Sequence, residues 1–308
     1  MIRVYHHPVC IEHDPGAGHP ECPDRLRVIE RALRNPQTPL QLDWQLAPLG
    51  GDDQVRLVHD EAMLARIKAT APHTGRVSLD PDTHMSPSTM EAALRAVGAA
   101  CQGVDDVMSG KADEVFCLTR PPGHHATPEQ SMGFCVFNQI AIAAFHAQRV
   151  HGLERVAVVD FDVHHGNGTQ DCVSGKAGLF YISTHQSPHY PGTGHAEDNR
   201  NFNILNLPLP SGTDDTTYRT RFTAEILPAL QAYKPQLILV SAGFDAHQQD
   251  PLASLRLTEN TYHWLGATLR EVARQHCAGR LLSVLEGGYN LKVLGASVAA
   301  FLATSTID

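Results

Sequence analysis

Residues 155–168 read Arg-Val-Ala-Val-Val-Asp-Phe-Asp-Val-His-His-Gly-Asn-Gly. The run from Val156 to Val159 is short, unbroken and rich in β-branched side chains. Such a run fits a strand covered on both faces, the kind found in parallel sheets. It stops abruptly in Asp160, Asp162, His164, His165 and a glycine turn. In an extended chain, residues two apart point to the same side. Asp162 and His164 therefore present a hard carboxylate beside an imidazole, a pairing that suits a divalent metal such as zinc.

The rest of the chain follows the same plan. Residues 2–5, 114–119, 156–161, 179–183, 237–241 and 281–285 read as strands, with one more near 42–46. Between them, residues 88–108, 138–150, 216–233 and 259–275 carry apolar side chains at helical spacing. Ser88 and Thr89 with Glu91 form a helix-start signal at the first of these. Strand–helix alternation of this kind predicts an α/β fold, a parallel sheet with helices on both faces. No internal repeat or linker interrupts the pattern, so residues 1–308 read as a single domain.

Composition narrows the class. A 42% hydrophobic and 19% charged chain is ordinary for a globular protein. The formal charge of −9 argues against direct nucleic-acid binding. No window of 18 apolar residues suggests a membrane span, and the N-terminal residues lack a signal-peptide core. Seven cysteines without a Cys-x-x-Cys pair give no disulfide framework, so a reducing cytoplasm is expected.

Polar residues collect at four strand exits. They are Arg120 to His125, Asp160 to His164, Ala242 to His247, and Glu286 to Tyr289. In open parallel sheets, ligands bind beyond the carboxyl ends of the strands. If all strands run parallel, the four exits share one rim. A catalytic metal needs about three protein ligands and an open position. Asp162 and His164 supply two, and Asp245, leaving a buried strand beside Gly243, is the best third. A base must take the proton of an attacking water, and His124 and His125 are the obvious supply. Tyr289 would donate its hydroxyl to a developing oxyanion. The His6-His7 pair reads as ordinary histidines, and Gly287-Gly288 alone is explained as well by a turn.

These residues are familiar as a set. Arg-Pro-Pro-Gly-His-His-Ala (120–126), Gly-Phe-Cys-x-Phe-Asn (133–138) and Asp-x-Asp-Val-His-His-Gly-Asn-Gly-Thr-Gln (160–170) resemble the zinc-dependent histone deacetylase family. So do Ser-Ala-Gly-Phe-Asp-Ala (241–246), Glu-Gly-Gly-Tyr-Asn-Leu (286–291) and the loop His-Pro-Glu-Cys-Pro-Asp-Arg (19–25). The similarity is nearest to the class II and bacterial deacetylase-like amidohydrolase branch. It implies the arginase–deacetylase fold, with an eight-stranded parallel sheet sandwiched between helices, and one deacetylase catalytic domain over residues 1–308. It implies Zn2+, with Fe2+ as the alternative, held by Asp162, His164 and Asp245. His125 would act as general base and acid with His124 as its partner, and Tyr289 would stabilise the oxyanion. Asp160 and Ser183 would help hold a structural K+. Gly133, Phe134, Tyr190 and Asp82 would line the substrate channel, and Arg25 an acetate exit. Asn167 stands where class I members carry an Asp, and Tyr289 is present where weakly active class IIa members carry a histidine.

The resemblance implies hydrolytic removal of acetyl or other acyl groups from lysine side chains of peptides or proteins. Three alternatives stand beside it. An acetylpolyamine would be a substrate of the same chemistry. An arginase-like binuclear hydrolase would need more bridging carboxylates than residues 245–250 offer. A non-catalytic acyl-lysine binding protein would use the same fold without turnover.

Overall fold

The computed structural model describes residues 1–38, 40–200 and 202–303. Its centre is an eight-stranded sheet formed by β1 (Ile2–His6), β2 (Leu42–Leu46), β3 (Glu114–Cys117), β4 (Val156–Asp160), β5 (Leu179–Gln186), β6 (Ile204–Leu209), β7 (Leu237–Ala242) and β8 (Leu281–Leu285). The spatial order is β2-β1-β3-β8-β7-β4-β5-β6, and every pairing is parallel. Strands β3, β8, β7 and β4 are adjacent and buried along their whole length.

The apolar runs explain this arrangement. Alternate residues of each central strand feed opposite faces. Ala157, Val159, Ile238 and Val240 join one core, whereas Val156, Val158, Leu237 and Leu239 join the other. The first core is closed by helices Asp24–Leu33, Glu259–His276 and Leu294–Leu302. Thr89–Ser109 and Gln139–His151 cover the second. The Ser88 and Glu91 start signal falls at a helix N-terminus, but the Ser88 side chain makes no capping hydrogen bond there.

The predicted helix over residues 216–233 forms with one change. A wide π-type turn at Phe222–Ile226 joins Asp215–Arg221 to Leu227–Tyr233. Pro228 lies just beyond it, where its missing N–H and its ring disturb regular helical bonding. Sequence reading passed over β6, and also the short hairpin of Val77–Ser78 and His84–Met85.

Strand order settles where the four polar exits lie. β3, β8, β7 and β4 are neighbours pointing the same way, so their carboxyl ends open side by side. A buried ionic hub binds the N-terminal loop to this rim. Glu21 is fully buried and accepts from both Arg120 and Arg25. Arg120 also donates to the Cys10 and His13 carbonyls, at 2.9 and 3.1 Å. Arg25 donates to the carbonyls of Gly288, at 2.7 Å, and of Glu286. Burial opposes charge on Glu21, but Arg120 and His13 outweigh it and hold its pKa well below the usual range.

Candidate active site

Asp162, His164 and Asp245 meet at the rim. His164 Nδ1 lies 3.2 Å from Asp162 Oδ1 and 3.1 Å from Asp245 Oδ2. The two carboxylates are fully buried and the imidazole nearly so. Their remaining oxygens are fixed by backbone donors. Asp162 Oδ2 accepts from Gly287 N at 2.7 Å, and Asp245 Oδ1 from Val163 N at 2.9 Å. Ligands of a tetrahedral zinc, each about 2.0–2.2 Å from the ion, stand roughly 3.4 Å from one another. The observed separations and the N,O donor set fit such a cation.

The electrostatics carry the same message. Burial opposes charge on His164, yet its bonds to Asp162 and Asp245 raise its pKa to about 10. Burial, helped by the charge on Asp162, raises Asp245 to about 7. Two carboxylates sealed in this space call for a positive partner, whether a proton or a metal ion.

The adjacent histidines divide their roles by partner. His124 Nδ1 donates to Asp160 Oδ2 at 3.0 Å, and that oxygen also accepts from Tyr181 Oη at 3.0 Å. Burial works against charge on His124, but Asp160, Asp162 and Glu286 overcome it and raise its pKa to about 10. His125 is pushed the other way. Burial, and then the charges on His124 and His164, hold its pKa well below the ordinary value. Its Nδ1 lies 2.8 Å from Asn167 Oδ1. An amide oxygen only accepts, so Nδ1 carries the proton and Nε2 is left bare. A neutral imidazole with a free Nε2 is a base in waiting.

A cavity of about 160 Å³ leads to these groups, lined by Asp82, His125, Gly133, Phe134, His164, His189, Tyr190, Leu252 and Tyr289. Phe134 and Tyr289 meet edge to face at 5.8 Å, and Tyr190 meets His125 edge to face at 5.2 Å. Phe134 takes a left-handed φ of 69°, with its N–H bonded to Thr83 Oγ1. The short hairpin thus holds the aromatic wall in place, and it also brings Asp82 to the rim. His189 stacks on His164 at 4.9 Å and reaches the Leu252 carbonyl at 2.9 Å. The Gly133 carbonyl has Cys135 Sγ at 3.3 Å. Burial raises the Tyr289 hydroxyl well above its ordinary pKa, so it stays a donor.

Asp160 and Ser183 are paired across β4 and β5 and fully buried. Arg25 is buried with its guanidinium 5.0 Å from the centre of the Tyr289 ring. Among the adjacent histidine pairs, His165, His6 and His7 bond elsewhere. His165 bonds to Thr193 and Gln170, while His6 pairs with Glu30 and His7 accepts from Val9 N. Asp250 is occupied by the N–H groups of Leu252 and Tyr289.

Sequence reading gave two groups no role. Glu286 is buried and accepts from the N–H groups of Gly123, at 2.8 Å, and His124, at 3.2 Å, and from Ser241 Oγ at 3.2 Å. One carboxylate thereby fixes the loop that carries both histidines. Gly243 and Gly287 lie against the Asp162 and Asp245 carboxylates. A Cβ on Gly243 would sit 2.0 Å from Asp162 Oδ2, and one on Gly287 would sit 2.1 Å from Asp245 Oδ2. The signal was visible as glycines beside candidate ligands, but a turn accounted for them equally well.

Comparison with known proteins gives this geometry its context. The histone deacetylase domain model matches residues 19–305. The chain is 43% identical over 301 residues to Histone deacetylase 14, chloroplastic, of Arabidopsis thaliana, covering 91% of this chain and 71% of that protein. It is 40% identical over 286 residues to the histone deacetylase-like amidohydrolase of Pseudomonas aeruginosa, covering 91% and 75%. The crystal structure of the HDA15 HD domain matches with a TM-score of 0.91 at 33% identity, covering 98% of this chain and 86% of that one. The chain therefore belongs to the histone deacetylase family, beside its class II and bacterial amidohydrolase members, and carries the arginase–deacetylase fold.

Proposed function

We propose that the protein is a zinc-dependent, cytoplasmic amidohydrolase that removes acetyl or other acyl groups from lysine side chains, acting as one catalytic domain. The observation that carries this reading is the meeting of three elements in one narrow cavity. They are the Asp162–His164–Asp245 donor set, the bare Nε2 of His125 and the protonated hydroxyl of Tyr289.

Zinc held by Asp162, His164 and Asp245 would polarise the amide carbonyl and acidify a water. The protein side chains do the rest. His125 takes the proton of the attacking water on Nε2 and later passes it to the leaving amine. His124, kept cationic by Asp160, stabilises negative charge as it builds. Tyr289 donates to the former carbonyl oxygen. Phe134 and Tyr190 wall the channel, the Gly133 carbonyl faces the substrate amide, and Asp82 meets the substrate backbone at the rim. Arg25 borders the departing acetate. A potassium ion beside Asp160 and Ser183 would balance the buried Asp160 carboxylate.

The test is a panel of acyl-lysine peptides and acetylpolyamines assayed with protein of defined zinc or ferrous content. Turnover of acetyl-lysine peptides above acetylputrescine supports the assignment. Preference for the polyamine moves the substrate class, and tight peptide binding without turnover by the metal-loaded protein rejects catalysis.

A further inference from the structure

The geometry points to a second cation site, formed by Asp105, His146 and His151, that takes a divalent transition metal of the zinc class far from the catalytic cavity. Asp105 lies near the end of the Thr89–Ser109 helix, and both histidines lie on Gln139–His151. His146 Nε2 is 2.8 Å and His151 Nε2 is 2.7 Å from the same atom, Asp105 Oδ1. The two rings lie 6.0 Å apart and meet edge to face. Two histidines and one carboxylate from two packed helices form a facial donor set of the kind that binds transition metals with open positions.

Three features distinguish this cluster from a simple ion pair. First, one carboxylate oxygen is aimed at by two imidazoles, although one partner would satisfy a pair. Second, the access is right. The side chains of Asp105 and His151 are 38% and 23% exposed while that of His146 is 8% exposed, so an ion would be held from within and hydrated from without. Third, both helices end here. Each precedes a strand of the parallel sheet and runs back against it, so their carboxyl ends lie at the edge opposite the active-site rim. Two helix C-termini place partial negative charge around the cluster, which favours a cation. Tetrahedral coordination would widen each N···O separation to about 3.4 Å, a change of roughly 0.6–0.7 Å that rotation of the partly exposed Asp105 and His151 side chains supplies.

The Gln139–His151 helix spans about 18 Å at 1.5 Å per residue. It begins at Asn138, whose side-chain amide donates to the Ala126 carbonyl in the histidine loop. An ion at its far end would clamp two helices of one core and stabilise the fold by binding only the native state.

The test uses the full chain carrying its catalytic metal. Zinc or cobalt is added in equilibrium dialysis, with bound metal counted per chain and melting temperature recorded. Wild type takes up one more ion than His151→Gln or Asp105→Asn, and added zinc raises its melting temperature but not theirs. Affinity at this site falls by at least about a hundredfold in either variant, the upper end of what losing a mere supporting partner costs. Unchanged deacetylase turnover in His151→Gln shows that the variant is folded and the catalytic metal retained. His164→Ala provides the converse arm, losing the catalytic ion and keeping this one. Equal metal uptake by wild type and His151→Gln, or no uptake beyond the catalytic ion, overturns the proposal without touching the catalytic assignment.

Discussion

Replacing Gly287 with Ala inserts one methyl group into the wall of the proposed metal pocket. That methyl carbon would stand 2.1 Å from Asp245 Oδ2 and 2.6 Å from Asp162 Oδ2. Real contacts of this kind essentially never fall under 3.0 Å, so the Asp245 oxygen must retreat by about 0.9 Å even to reach that floor. Metal–ligand distances are held to about ±0.2 Å. The displaced carboxylate can no longer share an ion with His164. Both carboxylates are buried, and Asp162 is tied to the Gly287 N–H itself, so the strain has no easy outlet. Gly287 is not among the glycines with positive φ, and the substitution therefore tests space rather than backbone conformation. We expect zinc affinity to fall at least a hundredfold, beyond the range for losing an indirect support. Overpacking should cost about 1–3 kcal/mol of stability. Metal content after dialysis against a graded chelator, with urea unfolding of the metal-free protein, separates the two effects. A Gly287→Ala protein that keeps one catalytic ion at wild-type affinity and turns over normally would refute the close-approach argument.

Tyr289→Phe should keep its metal and lose about 10² to 10³ in turnover on an acetyl-lysine peptide, the usual loss for one oxyanion donor. Equal turnover by variant and wild type removes Tyr289 from that role. Asn167→Asp places a negative charge 2.8 Å from His125 Nδ1 and favours its protonated form. A base must be unprotonated to act, so the acidic limb of the kcat/KM profile should move to higher pH, and a limb that stays or moves down contradicts the assignment. Burial lowers the pKa of His59 to about 4, against 6.5 for a free histidine. The unfolded chain therefore binds a proton first as pH falls, so the contribution of neutral His59 to stability is complete above about pH 6.5 and declines toward pH 4. The slope is about 1.4 kcal/mol per pH unit. The stability gap between wild type and His59→Gln in urea titrations should shrink across that window, and a constant gap counts against this account.

Much of the frame is legible because its signals are local. The apolar run 156–159 and its counterparts at 237–241 and 281–285 become buried strands. β6 was missed because Ile-Leu-Asn-Leu-Pro-Leu mixes an asparagine and a proline into a half-apolar run. Those features argue against a central strand, but β6 is an edge strand, where proline is tolerated. Asp162 and His164 announce themselves by sitting two residues apart, on one side of an extended chain. Their meeting with Asp245 depends on β7 lying beside β4, and strand order is set by tertiary packing that no local pattern encodes. The same holds for Glu21, whose partners Arg25 and Arg120 come from a helix four residues on and a strand exit 99 residues away.

The way the rim is stitched together orders events in time. Glu286 holds the histidine loop, Gly287 holds Asp162, and the carbonyls of Glu286 and Gly288 hold Arg25. All of these bonds belong to the exit of β8, the last strand of the sheet in chain order. β8 lies between β3 and β7, so neither the sheet nor the pocket can close until that strand has paired. A chain cut before β8 should therefore lack both a continuous sheet and the anchors of the histidine loop, Asp162 and Arg25.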